Sequence, residues 1–568
     1  MAPRHLLRGG NEIAPDEIFL DSSNLPSRDD HQFEARLVRP LGRQPIIALG
    51  VTFALVVVVF ATRAFDLSVV HGEVYAEVSR ENRLAHSVLF AVRGTVTDRT
   101  GRKLAWSEMP ENTATTTVAV RRYTNLPGLA LLLGFVRYPK TDESGAWWRE
   151  ETLGVSGAEL AFNTELAGRN GSSMVEIDAR GNVENKNIVE PPQHGKDIAL
   201  SIDAEIQNNL FSYMSAHAVR QGFVGGAAAM MDVRSGELVA LTSFPEYDNQ
   251  AFTEGLRAVV AKTASDPRSP LLNRAVAGLY TPGSIVKPIL AAAALQEGLI
   301  TPEATIVSTG AISVPNPYDP SRPSIYRDWT VHGSINMREA LAVSSDEYFY
   351  TIGGGYGAQK GLGIQRIDAY ATQFGLGSPS GIELMGEEAG VVPTPAWKAA
   401  TFGPDDPWRI GNTYHTAIGQ YGFQITLLQA VSFVAAIANG GKLFRPTIRA
   451  DFSRWGGLPY REVGVDDAYL QVVREGMRLA ITSQRQDATV KILNIPGISI
   501  AAKTGTAQIG ANNEWVNSWS VGFWPADQPR YAYAAVLERA RAGTLSGAAP
   551  GLRPFFEWLV ANKPEYVN

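Results

Sequence analysis

The alternation of apolar and polar positions divides this chain into four stretches. Residues 1–35 are polar and mostly acidic, with no sustained periodicity, and read as a disordered tail. Pro45–Thr62, PIIALGVTFALVVVVFAT, carries no charge and matches a single membrane-spanning helix. Beyond it the signals are mixed. Val74–Arg83 has the period of an amphipathic helix, Ser87–Ala91 is a strand, and Arg93–Ala105 reads as two strands about a turn at Thr100-Gly101. Ser107–Glu151 is irregular, Gly154–Glu159 opens a helix, and Val175–Val183 suggests a hairpin around Arg180-Gly181.

From Gly195 onward the pattern is regular. Ala199–Ile202 predicts a strand, and Asp203 caps a helix running through Val219. Ala227–Asp232 and Glu237–Ser243 form two strands, and Ser284 starts an alanine-rich helix closed by Gly298. Asn316–Asp328 is a proline-rich loop, while Met337–Tyr350 and Thr426–Ala438 are helical. Ile498–Ala507, Ser518–Phe523 and Tyr531–Leu537 are three further strands, and Pro550–Ala561 is a closing amphipathic helix. This order predicts an α+β or mixed α/β domain with a largely antiparallel sheet. The expected division is a tail (1–44), an anchor (45–63), a mixed β/α pedestal (64–195) and a main domain (196–568).

Composition narrows the function classes. The 568 residues are 45% hydrophobic and 19% charged, enough to bury large cores in two or three domains. A net charge of -6 gives no footprint for nucleic acid. The absence of cysteine excludes thiol nucleophiles, disulfides and cysteine-ligated metals. With few, scattered histidines, no metal or other cofactor is expected. Arg36, Arg39 and Arg43 precede the apolar run, whereas Asp66, Glu73 and Glu77 follow Arg63; the tail is therefore expected in the cytoplasm and the bulk outside. The long tail and the lack of a small-residue cleavage pattern favour an uncleaved anchor.

Candidate chemistry begins with Ser284 and Lys287, one helical turn apart on the same face. A hydroxyl beside an amine that can be held neutral is a nucleophile–base pair. Lys287 serves as base only if burial and a nearby cation lower its pKa from about 10.4. Lys503 is the candidate cation, and Ser344, in Ser344-Ser345-Asp346, the candidate relay. The backbone N–H groups of Ser284 and Thr506 are the candidate oxyanion donors. Thr504 and Thr506, with Lys503, suit a substrate carboxylate, and Gly505 lets an acyl donor approach the strand. His332, His415 and Gln420 read as structural, and Tyr348, Phe349 and Tyr350 as core.

The order Ser-x-x-Lys, Ser-x-Asn/Asp, Lys-Thr-Gly matches the set of penicillin-binding proteins and β-lactamases. Pro270–Pro288 resembles the acylation segment of class B penicillin-binding proteins. Arg93–Ala105 resembles their pedestal signature, with departures at Thr95 and Thr100, and Gly154–Glu159 resembles another pedestal element with Ala158 in place of Leu. Gly411–Gln420 is similar to a further family segment. Ser344–Tyr350 resembles the elongation-type penicillin-binding protein 2 group, where the division type has Asn at the position of Asp346. The resemblance implies a peptidoglycan DD-transpeptidase acting through a Ser284 acyl-enzyme on D-Ala-D-Ala stem peptides and inhibited covalently by β-lactams. It also implies a RodA-like membrane glycosyltransferase as partner, with other elongation-complex proteins. Asp346 in place of Asn leaves two roles open, holding Lys287 or holding the substrate amide. The alternatives are a division-specific transpeptidase, a β-lactam hydrolase or sensor, and a non-enzymatic activator of a glycosyltransferase.

Overall fold

The computed structural model describes residues 42–567 except 82–83, 111–117, 144–146, 178–182, 317–318 and 451–458. The expected tail up to residue 41 and the turn at Arg180-Gly181 lie outside the described residues. By contact the chain forms two units, residues 1–85 with 176–184, and residues 86–175 with 185–568.

In the first unit the apolar run is a helix, Arg43–Phe65, wound on through a π-turn, Asp66–Val70. Its most apolar window has a mean hydropathy of 2.5, and none of it is buried in protein. The two hydroxyls in the run are satisfied within the helix, Thr52 donating to the Ala48 carbonyl and Thr62 to that of Val58. A second helix, Gly72–Glu81, follows at the place its periodicity predicts.

The second unit is built on a five-stranded antiparallel sheet in the order Leu238–Phe244, Gly225–Asp232, Tyr531–Arg541, Trp515–Trp524, Ala501–Ile509. Both faces are covered, so its central strands read as apolar runs rather than alternating ones. Ala227, Ala229 and Met231 enter one core with the Ser284 helix and Leu427–Ala438. Ala228 and Met230 enter the other, with Ala204–Gln221 and Ala548–Asn562. Asp203 caps the former helix as expected, accepting from the N–H groups of Glu205 and Ile206. Thr426 and Gln429 form a reciprocal capping box at the start of Leu427–Ala438. The strand Ala501–Ile509 is left at the sheet edge.

The Arg93–Ala105 segment folds as short strands, Val96–Thr97 and Lys103–Glu108, about a turn that Asp98 closes by accepting from Thr100 and Arg102. Its core is continuous with that of the main domain: Val96, Leu104 and Ala105 share one cluster with Ala227 and the Ser284 helix.

Two expectations are corrected. Asn316–Asp328 is not a loop: Ala311–Asn316 and Asp319–Arg327 pair as an antiparallel ribbon. A two-stranded ribbon is all edge, so prolines facing outward forfeit no ladder bond. Met337–Tyr350 is two helices, Met337–Val343 and Asp346–Gly354. Ser344 takes a left-handed conformation (φ 59°), and the Ser345 side chain caps the second helix by accepting from the Tyr348 N–H. A long helix, Asp467–Thr482, packs against Met337–Val343 and the edge strand, and was not foreseen.

Candidate active site

Ser284 lies in a 3-10 turn, Gly283–Val286, that runs into the helix Lys287–Gln296. Pro288 falls in the first turn, where an N–H has no helical partner to lose. The Trp519 indole donates to the Thr281 carbonyl at 3.0 Å, and the Gly283 N–H donates to Gly419 at 3.0 Å. These two bonds hold the lead-in to the serine from opposite elements.

The serine turn also lies directly against the edge strand. A Cβ on Gly505 would stand 2.7 Å from the Pro282 carbonyl oxygen and 2.9 Å from the Ile285 side chain. Gly505 is thus required for packing beneath the serine. Thr504 and Thr506, of opposite parity, line the cavity instead.

That cavity, of about 610 Å³, contains Ser284, Ser344, Asp346, Thr504 and Thr506 on its walls. The two lysines are wholly buried beside it. Lys503 Nζ donates to Ser344 Oγ at 2.7 Å, and Lys287 Nζ lies 3.3 Å from the same oxygen. Lys287 also donates to the Ser344 carbonyl at 2.7 Å and to Asp346 Oδ1 at 2.6 Å. Of the two roles open to Asp346, the geometry supplies the first, an ion pair with Lys287. Three motifs far apart in sequence therefore meet at one hydroxyl. The left-handed turn at Ser344 makes this possible, because it turns both the carbonyl and the hydroxyl of that residue toward Lys287.

Burial, and then the adjacent Lys287 charge, push the Lys503 amine well below the ordinary lysine range, against the opposing pull of Asp346. The sequence-predicted residues Ser284, Lys287, Ser344, Asp346, Lys503, Thr504 and Thr506 are all brought together.

Several lining residues were not singled out from sequence as part of a site. His415, Gln420 and Tyr350, read as structural or core, face the cavity, as do Arg327, Trp329, Tyr421 and Thr489. Burial lowers the His415 pKa, with Asp346 opposing, which favours the neutral ring. His332 is structural as expected. Its Nδ1 is 2.8 Å from Asp487, and its Nε2 is 3.5 Å from Asp328, a charge contact rather than a formed hydrogen bond. Asp328 in turn accepts from the Ser345 hydroxyl at 2.6 Å and the Glu347 N–H at 3.0 Å. No spacing rule reveals this support, because its members are distributed over three separate segments.

Residues 226–557, more than half of the chain, match the penicillin binding protein transpeptidase domain. The chain belongs to the penicillin-binding protein transpeptidase family. Residues 106–200 of this penicillin-binding protein match the family's dimerisation domain, which overlaps most of the expected pedestal and runs five residues past its end. The peptidoglycan D,D-transpeptidase MrdA of Haemophilus influenzae is 29% identical over 79% of the chain, which spans 70% of that relative. MrdA of Salmonella typhimurium is 30% identical over 72% of the chain, which spans 66% of it. Among solved structures, Pseudomonas aeruginosa PBP2 in complex with WCK 5153 superposes with a TM-score of 0.68 at 26% identity, covering 85% of this chain and 98% of the other. Helicobacter pylori PBP2, in its complex with MreC, shares the fold with a TM-score of 0.68 at 24% identity, covering 84% and 98%. The expected enzyme class, a serine-type D,D-transpeptidase, and the resemblance to penicillin-binding protein 2 are both borne out.

Proposed function

We propose that this penicillin-binding protein cross-links peptidoglycan stem peptides during elongation, with Ser284 as the nucleophile. One observation carries the reading: two buried amines, Lys287 and Lys503, converge on the Ser344 hydroxyl at the wall of the cavity that holds Ser284. Two ammonium groups sharing one hydroxyl repel each other, and burial disfavours the second charge. The pair therefore has room for the proton that Ser284 Oγ releases as it attacks the penultimate D-Ala carbonyl: Ser344 relays it to Lys503, the amine whose pKa burial lowers, while Lys287 stays paired with Asp346. As Ser344 Oγ takes the Ser284 proton, its own O–H proton passes to the Lys503 lone pair, and Lys287 donates to the same oxygen. Backbone N–H groups of Ser284 and Thr506 hold the oxyanion; losing one such donor costs about 3 kcal/mol in comparable sites. The C–N bond then breaks, and the terminal D-Ala leaves with the proton. An acceptor amine attacks the Ser284 ester, loses a proton to the amine pair, and the Ser284 hydroxyl is restored. Thr504 and Thr506 receive the substrate carboxylate.

The apolar helix Arg43–Phe65 anchors the chain in the membrane, with the N-terminus cytoplasmic and the site outside. A RodA-like glycosyltransferase, working through the anchor and pedestal, supplies the glycan strands. The MreC complex of Helicobacter pylori PBP2 supports assembly with elongation proteins.

Fluorescent penicillin on the purified chain tests the site. A long-lived label is expected on the wild type and none on Ser284→Ala. Rapid turnover of the label would point to a β-lactam hydrolase, and an unlabelled wild type would remove the catalytic assignment. Cross-linking of lipid-linked peptidoglycan then distinguishes a transpeptidase from a β-lactam sensor.

A further inference from the structure

Arg327 is the cavity-lining residue that neither the motifs nor the proposed acyl transfer accounts for. Its backbone is fixed on both sides. It ends the ribbon strand Asp319–Arg327, paired with Ala311, and its carbonyl accepts from the Tyr350 hydroxyl at 3.4 Å. The preceding Tyr326 ring packs among Tyr350, Tyr414 and His415, with centroids 4.9–6.0 Å away. The following Asp328 is buried and committed to Ser345 and Glu347, and its N–H donates to Gly310 at 2.8 Å. Neighbours pinned inward leave the Arg327 side chain directed to the cavity.

The charges on the described lining are Arg327 and Asp346, and Asp346 is already paired with Lys287. Among the described residues no carboxylate lies within 4.0 Å of the Arg327 guanidinium. A positioned guanidinium facing a solvent cavity is a receptor for a carboxylate, which it can hold through two parallel hydrogen bonds. The terminal carboxylate of the donor has its own partners in Thr504 and Thr506.

We propose that Arg327 binds a second carboxylate, one on an internal residue of a stem peptide, and so discriminates peptides in which that group is free from those in which it is amidated. The inference rests on the transpeptidase reading and adds the feature of the peptide that this wall of the site selects. The carboxylate can belong to the donor or the acceptor strand, and the assay separates the two.

The test uses the full-length protein in detergent with synthetic D-Ala-D-Ala stem peptides, internal carboxylate free or amidated. D-Ala release without acceptor reads the donor, and transfer to acceptor peptides of either form reads the acceptor. Arg327→Gln is expected to lower kcat/KM for the free-carboxylate peptide roughly ten- to a hundredfold, the range of a charge-assisted hydrogen bond. It should change the amidated peptide much less, so the preference ratio collapses toward one. Arg327→Lys, which keeps the charge but not the fork, should retain part of the preference and covers the case of a Gln variant that does not fold. A ratio unchanged in both variants and on both strands, or a wild type with no preference, overturns the proposal. Cross-linking of lipid-linked peptidoglycan by the wild type tests the transpeptidase reading independently, so the two failures are distinct.

Discussion

Asp346 is the residue whose chemistry depends most on its surroundings. Its carboxylate neutralises Lys287 at 2.6 Å and, through space, opposes the lowering of the Lys503 pKa. Asp346→Asn removes that opposition, so Lys503 should fall further. The acid limb of the penicillin acylation rate on Ser284 is expected to move to lower pH by roughly one unit. A limb that stays in place or moves up would show that Lys503 does not control it. His332 gives a second pH effect, on stability. Its own burial lowers its pKa, but Asp328 and Asp487 outweigh that, and the net shift is upward. A raised folded pKa stabilises below the unfolded value of about 6.5 and is lost as pH rises through the folded value. Asp328 runs the other way. Burial raises it, but the facing His332 ring and hydrogen bonds from Ser345 and the backbone bring it down to about 2, so its contribution is present above its unfolded value and is lost as pH falls toward 2. His332→Gln should lower stability by about 3 kcal/mol near pH 6, with a smaller deficit at pH 9. Thermal unfolding at the two pH values checks this, and an equal deficit at both would exclude the charge as the cause.

At the scale of elements, the pedestal signature becomes a packed charge network. Arg93 and Arg121 bind the two oxygens of Glu159 at 2.5 and 2.7 Å, and all three residues are buried. Gly94, next to Arg93, cannot carry a side chain, because a Cβ would stand 2.0 Å from the Lys196 carbonyl oxygen. Glu159→Gln leaves two buried guanidinium groups without their counter-ion and is expected to cost 3–5 kcal/mol, read as a lower unfolding midpoint. Retained stability would mean that water reaches the arginines. Elements whose signal is local were legible in the sequence. Asp203 and Thr426 cap their helices by side-chain bonds to their own chain neighbours, and the doubly buried strands are apolar throughout. Elements decided by tertiary partners were not. The break at Ser344–Ser345 depends on Asp328 and Lys287, contributed by other segments, and the proline ribbon on aromatic packing around Tyr326. The catalytic motifs were readable because the chemistry restricts residue type; Arg327 and His415 were not, since only the fold brings them to the cavity.

At the scale of the whole molecule, the two contact units suggest that attachment and acylation are separable. Arg43–Phe65 is 23 residues long, about 35 Å at 1.5 Å per residue, against a hydrocarbon core of about 30 Å. With no described residue of the run buried in protein and its hydroxyls satisfied internally, the helix has no folded partner among the described residues and fits a membrane anchor. The acylation residues belong wholly to the other unit. Removing residues 1–63 should therefore release the protein from membranes while leaving penicillin acylation of Ser284 within about twofold. Cross-linking of lipid-linked substrate should fall at least tenfold, because the anchor raises the effective concentration of site and substrate by confining both to one surface. Sedimentation with vesicles, label kinetics and cross-link yield measure the three quantities on one preparation. Continued sedimentation would mean that another surface binds lipid, and an equal loss of acylation and cross-linking would show that the anchor shapes the site itself.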